Sequence, residues 1–235
     1  MFIKKHLSVI VFCAVIPAAV IAGYFLTKGK QYFLLSLMIV CASLFPFFFS
    51  LERKRLKVRE LVITASAVAA AVASRAAFFF LPNIKPMCAI LIIFATVFGA
   101  ECGFVSGAIS VLLSNFIYGQ GMWTPFQMLG MGLTVFACAW IIRACRIKNR
   151  LLLGAVSGVL CFVIYGVVVD ISSVFMMVSQ FNISAILSVY LAGVPFNAVH
   201  GVSTAIMVAA AQPLIAKKLE RVKIKYGIFS EKVKR

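Results

Sequence analysis

The stretch LERKRLKVRELVITASAVAAAVASRAAFFFLPNIKPM, Leu51–Met87, decides the fold. It opens on five cations (Arg53, Lys54, Arg55, Lys57 and Arg59) and continues through Leu61–Leu81, where Arg75 is the only charge. It closes on Pro82, Asn83, Lys85 and Pro86. About 20 apolar residues in a helix match the hydrocarbon thickness of a bilayer. A cation cluster at one end marks the side kept in the cytoplasm. These residues therefore predict a helix that enters the membrane from inside and ends in a turn outside.

The same pattern repeats in both directions. Apolar segments run over 7–27, 31–50, 60–81, 86–99, 102–118, 125–144, 151–178 and 186–215. If the first starts inside, 19 of the 23 Lys and Arg fall on the inner side, with Lys28, Lys30 and Lys85 outside and Arg75 within a segment. This bias predicts an all-α, polytopic membrane bundle with both termini cytoplasmic. The basic stretch Leu51–Glu60 divides it into an N-terminal transmembrane hairpin with its linker (1–57) and a six-helix core (58–216). A basic cytoplasmic tail (217–235) follows, expected as a helix on the inner membrane surface. The opening MFIKKHLSVIVFCAVIPAAVIAG has the make-up of a signal peptide. The charge alternation works with it retained, so it reads as the first helix.

Hydrophobic residues are 63% of the chain and charged residues 12%, which excludes an ordinary soluble domain. The net charge of +17 is carried at helix ends, so its partner is anionic lipid and not nucleic acid. Cys13, Cys41, Cys88, Cys102, Cys138, Cys145 and Cys161 occur singly in apolar stretches, without CxxC or Cys/His ligand spacing. They read as small packing residues, and neither a metal, a structural disulfide nor a cofactor is expected. There is no GxxxxGK[ST] phosphate loop, so ATP must be harvested by another subunit if it is used at all. HExxH, GxSxG and paired carboxylates are absent too, so the chain is not read as an enzyme.

Two features remain. Ala65, Ala69, Ala73 and Ala77 recur every four residues beside Ser66, Ala70 and Ser74. In lipid, close helix association relies on such rows of small residues. This row can serve packing within the bundle or docking of a partner membrane subunit. Gly99, Gly103 and Gly107, and Gly154 and Gly158, read as internal packing. Second, the outer turns gather Asn83, Lys85, Asn115, Tyr118, Gln120, Trp123, Thr124 and Gln127. An aromatic belt at the interface explains the rings but not the amides. Amides and ring faces together suit a planar ligand held by hydrogen bonds and stacking. Of the ionisable residues inside segments, Arg75 and Asp170 fall near outer ends, where a buried ion pair is expected. Glu101 sits at the inner turn, and His200 is expected to hydrogen-bond within the bundle.

The runs Ser74-Arg75 … Phe79-Phe80-Leu81-Pro82-Asn83-Ile84-Lys85-Pro86-Met87, Gly103-Phe104-Val105-Ser106-Gly107-Ala108 and Ser114-Asn115-Phe116 … Gly119-Gln120-Gly121-Met122-Trp123-Thr124-Pro125-Phe126-Gln127-Met128 resemble the S components of energy-coupling-factor (ECF) vitamin transporters. Within that group the cobalamin-related branch is the nearest in appearance. The resemblance spans roughly residues 58 to 215, with Gly-Gln-Gly-x-Trp-Thr-Pro its most specific part. It implies a prokaryotic plasma-membrane subunit that captures a vitamin, cobalamin or a related compound, and imports it with a transmembrane coupling (T) protein and two ATPases. It further implies docking through Ala65, Ala69 and Ala73. The implied pocket lies in the outer loops around Asn83, Lys85 and Gly119 to Gln127, and the full set of candidate substrate-binding residues is Arg75, Asn83, Lys85, Asn115, Tyr118, Gln120, Trp123, Gln127 and Asp170. The N-terminal hairpin departs from the six-helix pattern. An ion-coupled secondary transporter using Asp170 or His200 is the competing reading, weakened because no inverted repeat is visible.

Overall fold

The structure, a computed structural model, describes residues 57–178 and 182–228; the expected N-terminal hairpin lies outside them. Six helices follow one another: α1 (Val58–Ala77), α2 (Pro86–Phe98), α3 (Ala100–Tyr118), α4 (Thr124–Ala144), α5 (Arg150–Met177) and α6 (Ile183–Tyr226). The described residues contain no strand. All but α2 are long and apolar enough to cross a membrane. Sequence signals set the boundaries. Pro86 opens α2, where its fixed φ suits a first turn and its missing N–H is not needed. The side chains of Asn149 and Asn182 accept the backbone N–H groups of Leu151 (2.9 Å) and Ser184 (3.0 Å), capping α5 and α6. Gly99 alone joins α2 to α3 with φ +121°, a backbone conformation that a side chain would strain.

The short α2 is the centre of the bundle and packs against α1, α3, α4 and α6. Leu91, Ile92, Ile93 and Ala95 on its several faces are fully buried, as expected of a helix that is apolar all round. Phe94, Phe104 and Phe126 fill the largest spaces. The glycine rows act as expected, inside the bundle. A Cβ on Gly154 would stand 2.6 Å from the Ala205 carbonyl oxygen, and one on Gly158 would stand 2.7 Å from that of Gly201. These two positions let α5 and α6 approach backbone to backbone. The alanine row behaves differently: Ala65, Ala69 and Ala73 lie on the exposed face of α1, while Thr64, Val68 and Ala71 turn inward.

The tail differs from expectation. Residues 217–226 do not start a separate surface helix but continue α6, which runs unbroken past Pro195 and Pro213 until Gly227 caps it in the left-handed conformation. One reason is a tether: Lys223 Nζ donates to the Val97 carbonyl (2.6 Å), one of the groups left open at the end of α2. Consequently the basic residues at the start of α1 and at the ends of α4 and α6 share one end of the bundle, opposite Arg75 and Lys85.

Candidate functional site

At that opposite end, α1, α3 and α4 meet through polar side chains. Arg75, in the last turn of α1, donates to Ser114 Oγ and to Asn115 Oδ1 (2.8 Å) on α3. Asn115 is 1% exposed, and its Nδ2 donates to Thr124 Oγ1 (3.1 Å) and Gln127 Oε1 (2.9 Å) on α4. Since guanidinium only donates, the Asn115 oxygen must face Arg75 and its amide must face α4, which fixes the chain of bonds in one direction. Thr124 Oγ1 also accepts from the Gly121 N–H (3.2 Å), fastening the turn between α3 and α4. The guanidinium lies 5.1 Å from the centre of the Tyr118 ring, which stacks on Phe79 at 5.0 Å. A charge at membrane depth costs several kcal/mol unless it is paired or wetted. Here hydrogen bonds and a ring face meet that cost, so Arg75 presents a fixed donor surface at the helix ends.

The remaining candidates divide. Lys85 Nζ donates to the carbonyls of Phe78 (3.2 Å), Phe79 (3.4 Å) and Leu81 (3.0 Å), closing the loop after α1 over its own carbonyls. Burial, and then the neighbouring Arg75 charge, hold its pKa below the usual 10.5. Asn83 adopts a left-handed φ of 58° and offers its carbonyl, not its amide, to His200 Nδ1 (3.1 Å). Gln120 turns back to donate to the Leu112 carbonyl (3.1 Å). Trp123 is partly exposed and lies where a Cβ on Gly121 would clash with its indole, so a glycine there gives the ring room to fold over the turn.

The expected ion pair is not formed. Arg75 turns its Nη1 to α3, and Asp170 instead accepts from Asn197 Nδ2 (2.7 Å) between α5 and α6. The reason is packing: α1 lies against α2 and α3, whereas Asp170 faces Gly193, where a Cβ would stand 2.6 Å from its carboxylate. Of the nine pocket candidates, the structure brings Arg75, Asn115, Tyr118 and Gln127 into one cluster. Ser114 and Asn197 were missed, since a single Ser or Asn in an apolar run carries no signal of its own. His200 does hydrogen-bond within the bundle, as expected. A grouping of Cys88, Cys161 and His200 was also missed; their ligand atoms lie within 4.8 Å of one another.

Neither the curated proteins nor the solved structures include a significant match to the chain. The family model for the ECF-type riboflavin transporter, S component, matches residues 55–219, nearly all of the six-helix unit. That description supports the S-component expectation, a substrate-specific membrane subunit for a vitamin-type compound. It names riboflavin and gives no support to the cobalamin branch. On a match covering well over half its length, the chain belongs to the family of ECF-type riboflavin transporter S components.

Proposed function

We propose that the chain captures a vitamin-type compound at the outer ends of α1, α3 and α4 and delivers it inward with a T protein and two ATPases. The observation that carries this reading is the Arg75–Asn115–Gln127 chain of hydrogen bonds, set at the end of the bundle opposite the cations. Preorganised donors beside the Tyr118 and Trp123 rings suit a flat heteroaromatic ring edged with carbonyls, which is the chemistry of a flavin. Riboflavin is thus the first ligand to test, following the family's name, with cobalamin or a related compound second, following the Gly119–Gln127 stretch. Arg75, Asn83, Lys85, Asn115, Tyr118, Gln120, Trp123, Gln127 and Asp170 remain the proposed binding set, with Arg75 and Asn115 at its centre.

The exposed row Ala65, Ala69 and Ala73 supports docking on the T protein, because this flat face of α1 is left uncovered by the other described residues. Without a phosphate loop the chain cannot harvest ATP itself, so ATP-driven import would need separate ATPases. The test is titration of the purified full-length chain with riboflavin, followed by quenching of flavin fluorescence, and in parallel with cyanocobalamin by equilibrium dialysis. Saturable one-to-one binding of either, lost in Arg75→Met, supports the reading. Binding of neither, by a chain that remains monodisperse, overturns it.

A further inference from the structure

We propose that Cys88, Cys161 and His200 form a buried zinc site that ties α2, α5 and α6 together beneath the loop joining α1 to α2. The residues come from three helices and are 0%, 1% and 6% exposed. Their ligand atoms all lie within 4.8 Å of one another, and the two sulfurs are 3.9 Å apart. With Zn–S bonds of about 2.3 Å, a tetrahedral ion holds two sulfurs about 3.8 Å apart. A disulfide would need about 2 Å and a linear two-sulfur ion about 4.6 Å, so the spacing suits neither.

The histidine supplies the independent observation. Its Nδ1 faces the Asn83 carbonyl at 3.1 Å, and a carbonyl only accepts, so Nδ1 carries the proton. That leaves the lone pair on Nε2, which is buried, lies beside the Cys161 thiol and has no nitrogen or oxygen partner among the described residues. A thiol is at best a weak donor to this buried lone pair, and coordination to a metal would satisfy it fully. Metal-bound histidines commonly donate their other N–H to a backbone carbonyl, which is the arrangement seen here. The Tyr165 ring stacks on the imidazole at 5.1 Å and restrains its rotation. Thr204 Oγ1 points its donor at Cys161 Sγ (3.6 Å), a contact suited to a thiolate. Cys161 also opens the wide π-turn Cys161–Tyr165 in α5, a local irregularity often found at functional sites.

Charge selects the ion. Binding releases one proton from each thiol to water, and two thiolates, a neutral imidazole and Zn2+ sum to zero in an apolar interior. A monovalent soft cation would leave a buried negative charge. Three protein ligands leave the fourth position of a tetrahedral ion free for a small molecule. Through the Asn83 carbonyl the ion would also restrain the loop that Lys85 closes.

The test uses the full chain purified in detergent, stripped with a chelator and titrated with Co2+ as a visible surrogate for zinc. The proposal expects a thiolate-to-cobalt absorption band that saturates at one ion per chain and is displaced by Zn2+. Cys88→Ser and Cys161→Ser should each abolish the band, His200→Ala should weaken zinc binding at least ten-fold, and Cys145→Ser should change nothing. A wild-type chain that gives no thiolate–cobalt band overturns the proposal, whether or not the variants fold. So does a Cys88→Ser/Cys161→Ser double variant that keeps the full band.

Discussion

The Arg75–Asn115 contact can be measured by a double-mutant cycle with Arg75→Met and Asn115→Ala. Asn115 accepts one charge-assisted bond from Arg75 and donates two neutral ones to Thr124 and Gln127. A hydrogen bond to a charged group contributes about 1.5–3 kcal/mol and a neutral one about 1 kcal/mol, so Asn115→Ala should cost about 3.5–5 kcal/mol. Arg75→Met keeps the apolar stem and removes the donor. In the double variant the shared bond is lost only once. Its destabilisation should therefore fall short of the sum of the singles by about 1.5–3 kcal/mol. Asn115→Asp should cost less than the alanine, because its oxygens still accept from Arg75, the Thr124 hydroxyl can turn to donate, and Gln127 can present its amide instead of its oxygen. The assay is equilibrium unfolding of the purified chain in mixed micelles, read by circular dichroism. Additivity within about 0.5 kcal/mol would refute the direct contact, and with it the fixed donor surface on which the binding proposal rests.

Other outcomes follow from the same geometry. Ala69→Trp places a large ring on the exposed face of α1 and should abolish uptake while leaving ligand affinity within about two-fold, measured by transport in cells and titration of the purified variant. Gly158→Leu brings a Cβ to 2.7 Å from the Gly201 carbonyl, and should lower stability by about 1–3 kcal/mol in the same unfolding assay. Lys85 has a pKa below 10.5 in the folded chain, so the unfolded chain holds that proton more tightly. Its contribution to stability must therefore rise as pH climbs from the folded-state pKa toward 10.5, and the rise should vanish in Lys85→Met when thermal midpoints are compared across pH.

The helices were legible because hydropathy and charge act locally. The expected segments 86–99 and 125–144 became Pro86–Phe98 and Thr124–Ala144, with Pro86, Gly99 and Pro125 marking three of the four ends. The four-residue spacing of Ala65, Ala69 and Ala73 placed them on one face, and that face is the exposed one. Pairings between helices were not legible, because they depend on which helices are neighbours. Opposite charge and a shared depth near the outer helix ends pair Arg75 with Asp170, yet α1 lies on α3, where an uncharged serine and asparagine satisfy the guanidinium. The Cys88–Cys161–His200 grouping escaped for the same reason: its members are 73 and 39 residues apart along the chain, so no local spacing reports them. The tail misled in another way. Its charges suggested a separate element, but the helix runs on past Pro213 and one lysine finds the end of α2.

The central claim is that this chain binds its vitamin unaided but moves it only with borrowed energy. Proteoliposomes containing the chain, loaded with ATP and presented with labelled riboflavin or cobalamin, test it most directly. The account predicts accumulation only when the T protein and both ATPases are co-reconstituted, and none from the chain by itself under an imposed proton or sodium gradient. Gradient-driven accumulation by the isolated chain would contradict it.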